Sequence, residues 1–132
     1  MATLKISDLS VGDWVGVRCG TKINAFKVEE IRFNHIIHKY VALLNNRSYG
    51  LPTTELHPIP ITAEILEKNG FEKISKTQPW FRYKTDITVG RYADVLWGFG
   101  IGVACNELWG LAGVHDLQHA LRLAGVDEEI NL

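Results

Sequence analysis

At 132 residues, 46% of them hydrophobic and 22% charged, the chain has the length and composition of one globular domain, and at this size folding buries about two thirds of the unfolded surface without disulfides or metals. A formal net charge of −1 supplies no global field that would draw it to nucleic acid or to an anionic bilayer. The opening MATLKISDLSVGDW has no basic stretch followed by an apolar one, and the longest apolar and glycine run, Val95 to Cys105, is far shorter than the ~20 residues that span a membrane; the expectation is a cytoplasmic protein with no membrane partner.

Charge is only mildly asymmetric, with seven Lys/Arg against five Asp/Glu up to His57 and seven against ten beyond it. That contrast names no partner. Cys19 and Cys105 have no neighbouring cysteine motif and read as buried thiols in a reducing compartment.

In chain order, the residues up to His57 alternate short β-like runs with turn chemistry. Val15, Val17 and Cys19 share one face of a first strand entered by VGDWV. Ala25 to Phe33 forms a second strand and Lys39 to Leu44 a third, and the polar turn Asn45-Asn46-Arg47-Ser48 leads into a short fourth around Tyr49 to Leu51. The pattern resembles a small curled barrel of the SH3-like or Tudor-like kind. In such barrels rings like Trp14, Phe33, Tyr40 and Tyr49 hold cationic or stacked ligands, whereas strand aromatics in general serve the core. Arg32, His35, His38, Lys39 and Arg47 supply a cluster of basic side chains suited to phosphates.

His57-Pro58-Ile59-Pro60 is an extended connector, since each proline removes an amide donor and disfavours helix just before it. It divides a barrel-like part, 1–57, from a second part, 58–132, within one compact structural unit. Thr62 then caps a helix over Ala63 to Asn69, with Glu64 in its positive first turn, Ile61 stapled to Leu66, and Gly70 as the left-handed stop. Strands follow at Trp80 to Tyr83, Ile87 to Val89 and Ala93 to Cys105, and a turn or short strand at Glu107 to Gly110. Period two puts Ala93, Val95, Trp97, Phe99, Ile101, Val103 and Cys105 on one face and Gly98, Gly100 and Gly102 on the other. GFGIG lacks the spacing of a phosphate loop, so the bare face is expected to receive one of the protein's own helices or rings.

The last element, VHDLQHALRLAG, reads as an amphipathic helix from about Val114 to Gly125 packed on antiparallel strands. At about 100° per residue, Val114, Leu117, Ala120, Leu121 and Ala124 form its apolar stripe, and His115, His119 and Arg122 the opposite side with Gln118 at the boundary. Imidazoles at i and i+4 are the spacing of the zinc-protease helix. Here Asp116 stands where that helix has its glutamate, no third ligand is placed by sequence, and the Arg122 cation opposes a metal, so no metal or cofactor is expected. His115, Gln118, His119 and Arg122 instead make a donor-rich docking surface. No nucleophile and base pairing forms a local motif.

Three pieces, LSVGDWV, HPIPITAEILEKNGFEK and VHDLQHALRLAGVDEEINL, resemble a group of small uncharacterised proteins of gut anaerobic bacteria and their phages and mobile elements. In that group a valine, His, any residue, Leu, Gln motif is matched by Val114, His115, Leu117 and Gln118, while His119 departs from it. The resemblance implies a cytoplasmic accessory protein of a mobile element. The fold class expected is α+β, an N-terminal SH3-like or Tudor-like barrel followed by an α-β-β-α module. The function expected is that of a non-enzymatic interaction or adaptor protein whose partner is another protein. The alternatives are nucleic-acid binding through the basic barrel loops and metal-dependent hydrolysis at His115 and His119. A homo-oligomer paired through the long apolar strand is a further expectation.

Overall fold

The computed structural model describes residues 3–45, 50–74, 80–84, 86–92, 96–101 and 109–132. The protein is α+β, with mostly antiparallel strands in two sheets and two helices, and the chain divides into compact units Met1–Ile59 and Pro60–Leu132.

In the first unit the VGDWV entry is a locked turn. Gly12 has φ 94°, and the buried Asp13 carboxylate accepts from the Ser10 amide at 2.8 Å. The Val28 amide donates to the Asp13 carbonyl at 2.8 Å, so the turn hands the chain straight into β1 (Trp14–Cys19). A tight reversal at Gly20, φ 68°, starts β2 (Lys22–Asn34), which runs beyond the expected Ala25 to Phe33. A register shift between Val28 and Glu30 bends β2. Next come β3 (Lys39–Leu44), β4 (Gly50–Pro52), a 3-10 turn at Thr53–Glu55 and β5 (Leu56–His57). The sheet order β4-β3-β2-β1-β5 brings β5 back onto β1, with Val17 opposite Leu56, and curls the sheet around Val15, Val17, Val28, Ala42, Leu44 and Leu56.

One expectation fails here. Cys19 is exposed: it pairs with Lys22 at the last position of β1, beyond the end of the core that Val15 and Val17 enter. Cys105 lies outside the described residues.

In the second unit the local helix signals are obeyed. The Thr62 Oγ1 accepts from the Ile65 amide at 3.2 Å to begin α1 (Ala63–Lys68). Gly70, φ 88°, ends it, and the Phe71 amide folds back to the Leu66 carbonyl at 3.0 Å. The sheet is fuller than an α-β-β-α module requires. It comprises β6 (Glu72–Lys73), β7 (Trp80–Tyr83), β8 (Ile87–Tyr92), β9 (Leu96–Ile101) and β10 (Trp109–Leu111), in the order β10-β9-β8-β7-β6. Of the strand expected over Ala93 to Cys105, residues 93–95 and 102–105 lie outside the described residues.

Phe81, Val89 and Phe99 stand in one cross-strand row and are fully buried. On the opposite face Trp80 faces Gly90, Gly90 faces Gly98, and Gly98 faces Gly110. The Trp80 ring covers Gly90 so closely that a Cβ there would lie 2.7 Å from Cε3. At Gly90, then, the side-chain-poor face receives one of the protein's own rings. The chain closes with α2 (Val114–Leu123) against β10 and a tail whose Ile130 is buried. The tail is held by the Tyr83 hydroxyl donating to the Glu128 carboxylate and by reciprocal bonds between Asn69 and Asn131 at 2.8 and 2.7 Å.

Candidate functional site

The last helix does not present the face its periodicity suggests. His115 is 1% and Gln118 5% exposed, buried with Val114, Leu117 and Leu121, whereas His119 is half-buried and Arg122 exposed. The helix is therefore rotated so that its buried arc is centred between the aliphatic stripe and the histidines. Ala120 and Ala124, counted in the stripe, are only half-buried, because a methyl group buries too little apolar area to fix a helix rotation. The first turn is held instead by Asp116, whose Oδ2 accepts from the Ala112 amide at 2.8 Å and whose Oδ1 lies 3.5 Å from His115 Nε2. An interior His115 and Gln118 correct the expected docking surface of four side chains. Its accessible part is His119 and Arg122.

The His115 and His119 rings do meet, with centroids 6.0 Å apart and planes at 88°, but one ring belongs to the interior. Among the described residues no group of three or more His, Cys, Asp or Glu is arranged to hold a metal. Of the side chains that folding could have brought to the pair as further ligands, Asp94 and Glu107 lie outside the described residues, and His35, His38 and His57 belong to the first unit.

The structure does gather residues at the β2–β3 hairpin. Register pairs Asn34 with Lys39, Phe33 with Tyr40 and Arg32 with Val41. Period two then sets Phe33 and Tyr40 on one face and Arg32 and Lys39 on the other. The turn is preformed: the Asn34 Oδ1 accepts from the Ile36 amide at 2.9 Å and the Ile37 amide at 3.3 Å, and His38 closes it at φ 54°. The Phe33 ring is the hub, packed edge-on against Tyr40 and His35 at 5.2 Å and tilted to His38 at 6.5 Å. At the end of the hairpin Ile36 is 90% and Ile37 46% exposed, with Tyr40 at 48% and Phe33 at 38% behind them.

Arg32, His35, His38 and Lys39 thus come together on one exposed hairpin, and Arg47 lies outside the described residues. Of the four aromatic candidates, Phe33 and Tyr40 belong to this hairpin, Trp14 is half-buried with the Lys27 ammonium 5.4 Å from its ring centroid, and Tyr49 lies outside the described residues. The sequence reading missed Ile36 and Ile37. Their signal was an aliphatic pair placed between turn-forming Asn34 and His38, where no alternation can turn both inward.

Comparison of the chain with protein-family profiles, with curated proteins and with solved structures gives no match in any of the three. The site stands on its geometry.

Proposed function

We propose that this protein is a non-enzymatic interaction module, an accessory protein of the cytoplasm as the resemblance to phage and mobile-element proteins implies, whose binding element is the β2–β3 hairpin. The observation that carries this reading is the clustering of four exposed apolar side chains, Phe33, Ile36, Ile37 and Tyr40, on a turn held rigid by Asn34. A contiguous exposed apolar patch on a small protein marks an interaction site, whereas isolated exposed residues do not. An SH3-like barrel is supported by the five-stranded order and by the 3-10 turn between β4 and β5.

The test is co-purification from extract of the source cell with wild type, with Ile36→Ser/Ile37→Ser and with His119→Ala/Arg122→Ala, each shown to be folded. Loss of the bound material with the hairpin variant alone is expected. Loss with the helix variant alone would move the site to α2, and retention by both would refute the assignment of either surface.

A second reading, nucleic-acid binding, is favoured by Arg32, His35, His38 and Lys39 sharing the hairpin. Two fixed cations predict a log–log salt slope near −2 at about −0.9 per phosphate neutralised. Affinity for a duplex that ignores salt would remove it.

A further inference from the structure

Resting on the reading that the hairpin is the binding element, we infer that what it binds is an anionic lipid surface, into which Ile36 and Ile37 insert. The charge distribution is local. No Asp or Glu occurs between Glu30 and Glu55, while Arg32 and Lys39 lie within that stretch, so the hairpin is cationic on a chain whose net charge is −1. Such a segment complements the negative cytoplasmic leaflet.

The placement of the side chains separates a bilayer from other occupants. Rings stand on one face of the hairpin and cations on the other. A single-stranded nucleic acid laid on either face would meet the Phe33 and Tyr40 rings without Arg32 and Lys39, or those two cations without the rings, whereas such strands bind grooves that combine both. Its phosphates would also leave the two isoleucines, the foremost apolar side chains, without a counterpart. A bilayer surrounds a penetrating tip on every side, so both faces are used at once. The isoleucines lead, and the Phe33–Tyr40 pair lies one pairing position behind the Asn34–Lys39 end of the ladder, roughly 3 Å at strand rise. That depth puts the rings at headgroup level, where aromatic side chains concentrate, and lets the long Arg32 and Lys39 stems lift their charges to the lipid phosphates. The turn is already shaped by Asn34 and His38, so little ordering opposes insertion.

The test is co-sedimentation of the full chain with vesicles of phosphatidylcholine alone or of phosphatidylcholine with one third phosphatidylglycerol. A factor of about five per cation near the surface predicts a roughly 30-fold preference for the anionic vesicles. Arg32→Gln/Lys39→Gln should remove the preference, and Ile36→Ser/Ile37→Ser should lower partitioning by about tenfold or more, on the transfer value of even one buried aliphatic side chain. A chain carrying Ile36→Trp should show a blue-shifted emission on anionic vesicles that the same chain lacks on phosphatidylcholine. Equal binding to both vesicles, or none to either, would overturn the lipid assignment. If vesicles are ignored while Ile36→Ser/Ile37→Ser still abolishes capture of a protein or a single-stranded oligonucleotide, the lipid falls and the interaction module stands; if that variant changes neither, both fall.

Discussion

Replacing Gly90 by alanine tests whether the glycine-lined side of the second sheet is packed or open. Gly90 lies outside the left-handed region, so alanine suits its backbone, and in a bare strand interior the exchange would stabilise by about 0.5–1 kcal/mol. Here the new Cβ would stand 2.7, 2.9 and 3.0 Å from Cε3, Cζ3 and Cδ2 of Trp80. The ring must tilt off its cross-strand partner, and overpacking of that kind costs about 1–3 kcal/mol. The sign of the exchange should therefore reverse when the ring is removed. In urea denaturation, Gly90→Ala should lower the midpoint in the wild-type chain and raise it in a Trp80→Leu chain, a coupling of about 1.5–4 kcal/mol. A stabilising Gly90→Ala in the wild-type chain would show that Trp80 does not cover the glycine, and the face would then be a groove open to a flat ligand.

The hydrogen bond from Tyr83 to the Glu128 carboxylate raises the tyrosine pKa above 10.0, burial and the carboxylate charge adding to it. The folded state then holds its proton more tightly than the unfolded one. The resulting stability is fully present below the unfolded value and is lost as pH rises through the raised one, so Tyr83→Phe should flatten the alkaline limb of a stability against pH curve; an unchanged limb would refute the coupling. Thr62→Ala removes the cap of α1 and should cost about 1 kcal/mol in chemical denaturation, with Thr62→Ser recovering most of it. Asn69→Ala removes both bonds to Asn131 and should speed hydrogen exchange at the Asn131 amide without altering that of β8. His115→Ala empties an interior position and should cost about 2 kcal/mol or more, which would make it a stability variant and no test of a surface.

Elements whose signals are local were legible in the sequence. α1 is written in Thr62, Leu66 and Gly70, and the curled first sheet in the succession of short strands entered by VGDWV. The rotation of α2 was not legible, because the hydrophobic pattern counts Ala120 and Ala124 as core and His115 as surface, while the structure places the polar Asp116–Ala112 bond at the turn and His115 inside. The two-residue β6 was also hidden, since a strand that short exists by pairing with a neighbour and carries no periodicity of its own, whereas β10 overlaps the turn or short strand expected at Glu107 to Gly110. At the hairpin the basic residues were visible as a cluster, but that Arg32 and Lys39 share the face opposite Phe33 and Tyr40, while His35 and His38 meet the Phe33 ring, follows from the β2–β3 register and its turn, which alternation within one strand does not set.

Exposure by itself does not single out a site, and Leu123 shows why. It is 89% exposed, as much as Ile36, yet it stands at the end of α2 beside Arg122 and half-buried Ala124, a scattered apolar residue of the sort every surface carries. Ile36 differs in company and in support. It is followed by exposed Ile37, stands on the turn of a hairpin whose strands carry the exposed Phe33 and Tyr40 rings, and is fixed through its own amide by Asn34. None of that support increases its burial, so the isoleucine adds little to folding. Ile36→Ser should therefore shift stability by no more than about 0.5 kcal/mol while weakening whatever the hairpin binds, whereas Leu123→Ser should do neither. Thermal denaturation and binding measured on the same two proteins separate the cases, and a hairpin substitution that melts the fold would mean that the tip packs inside the molecule and offers no docking surface.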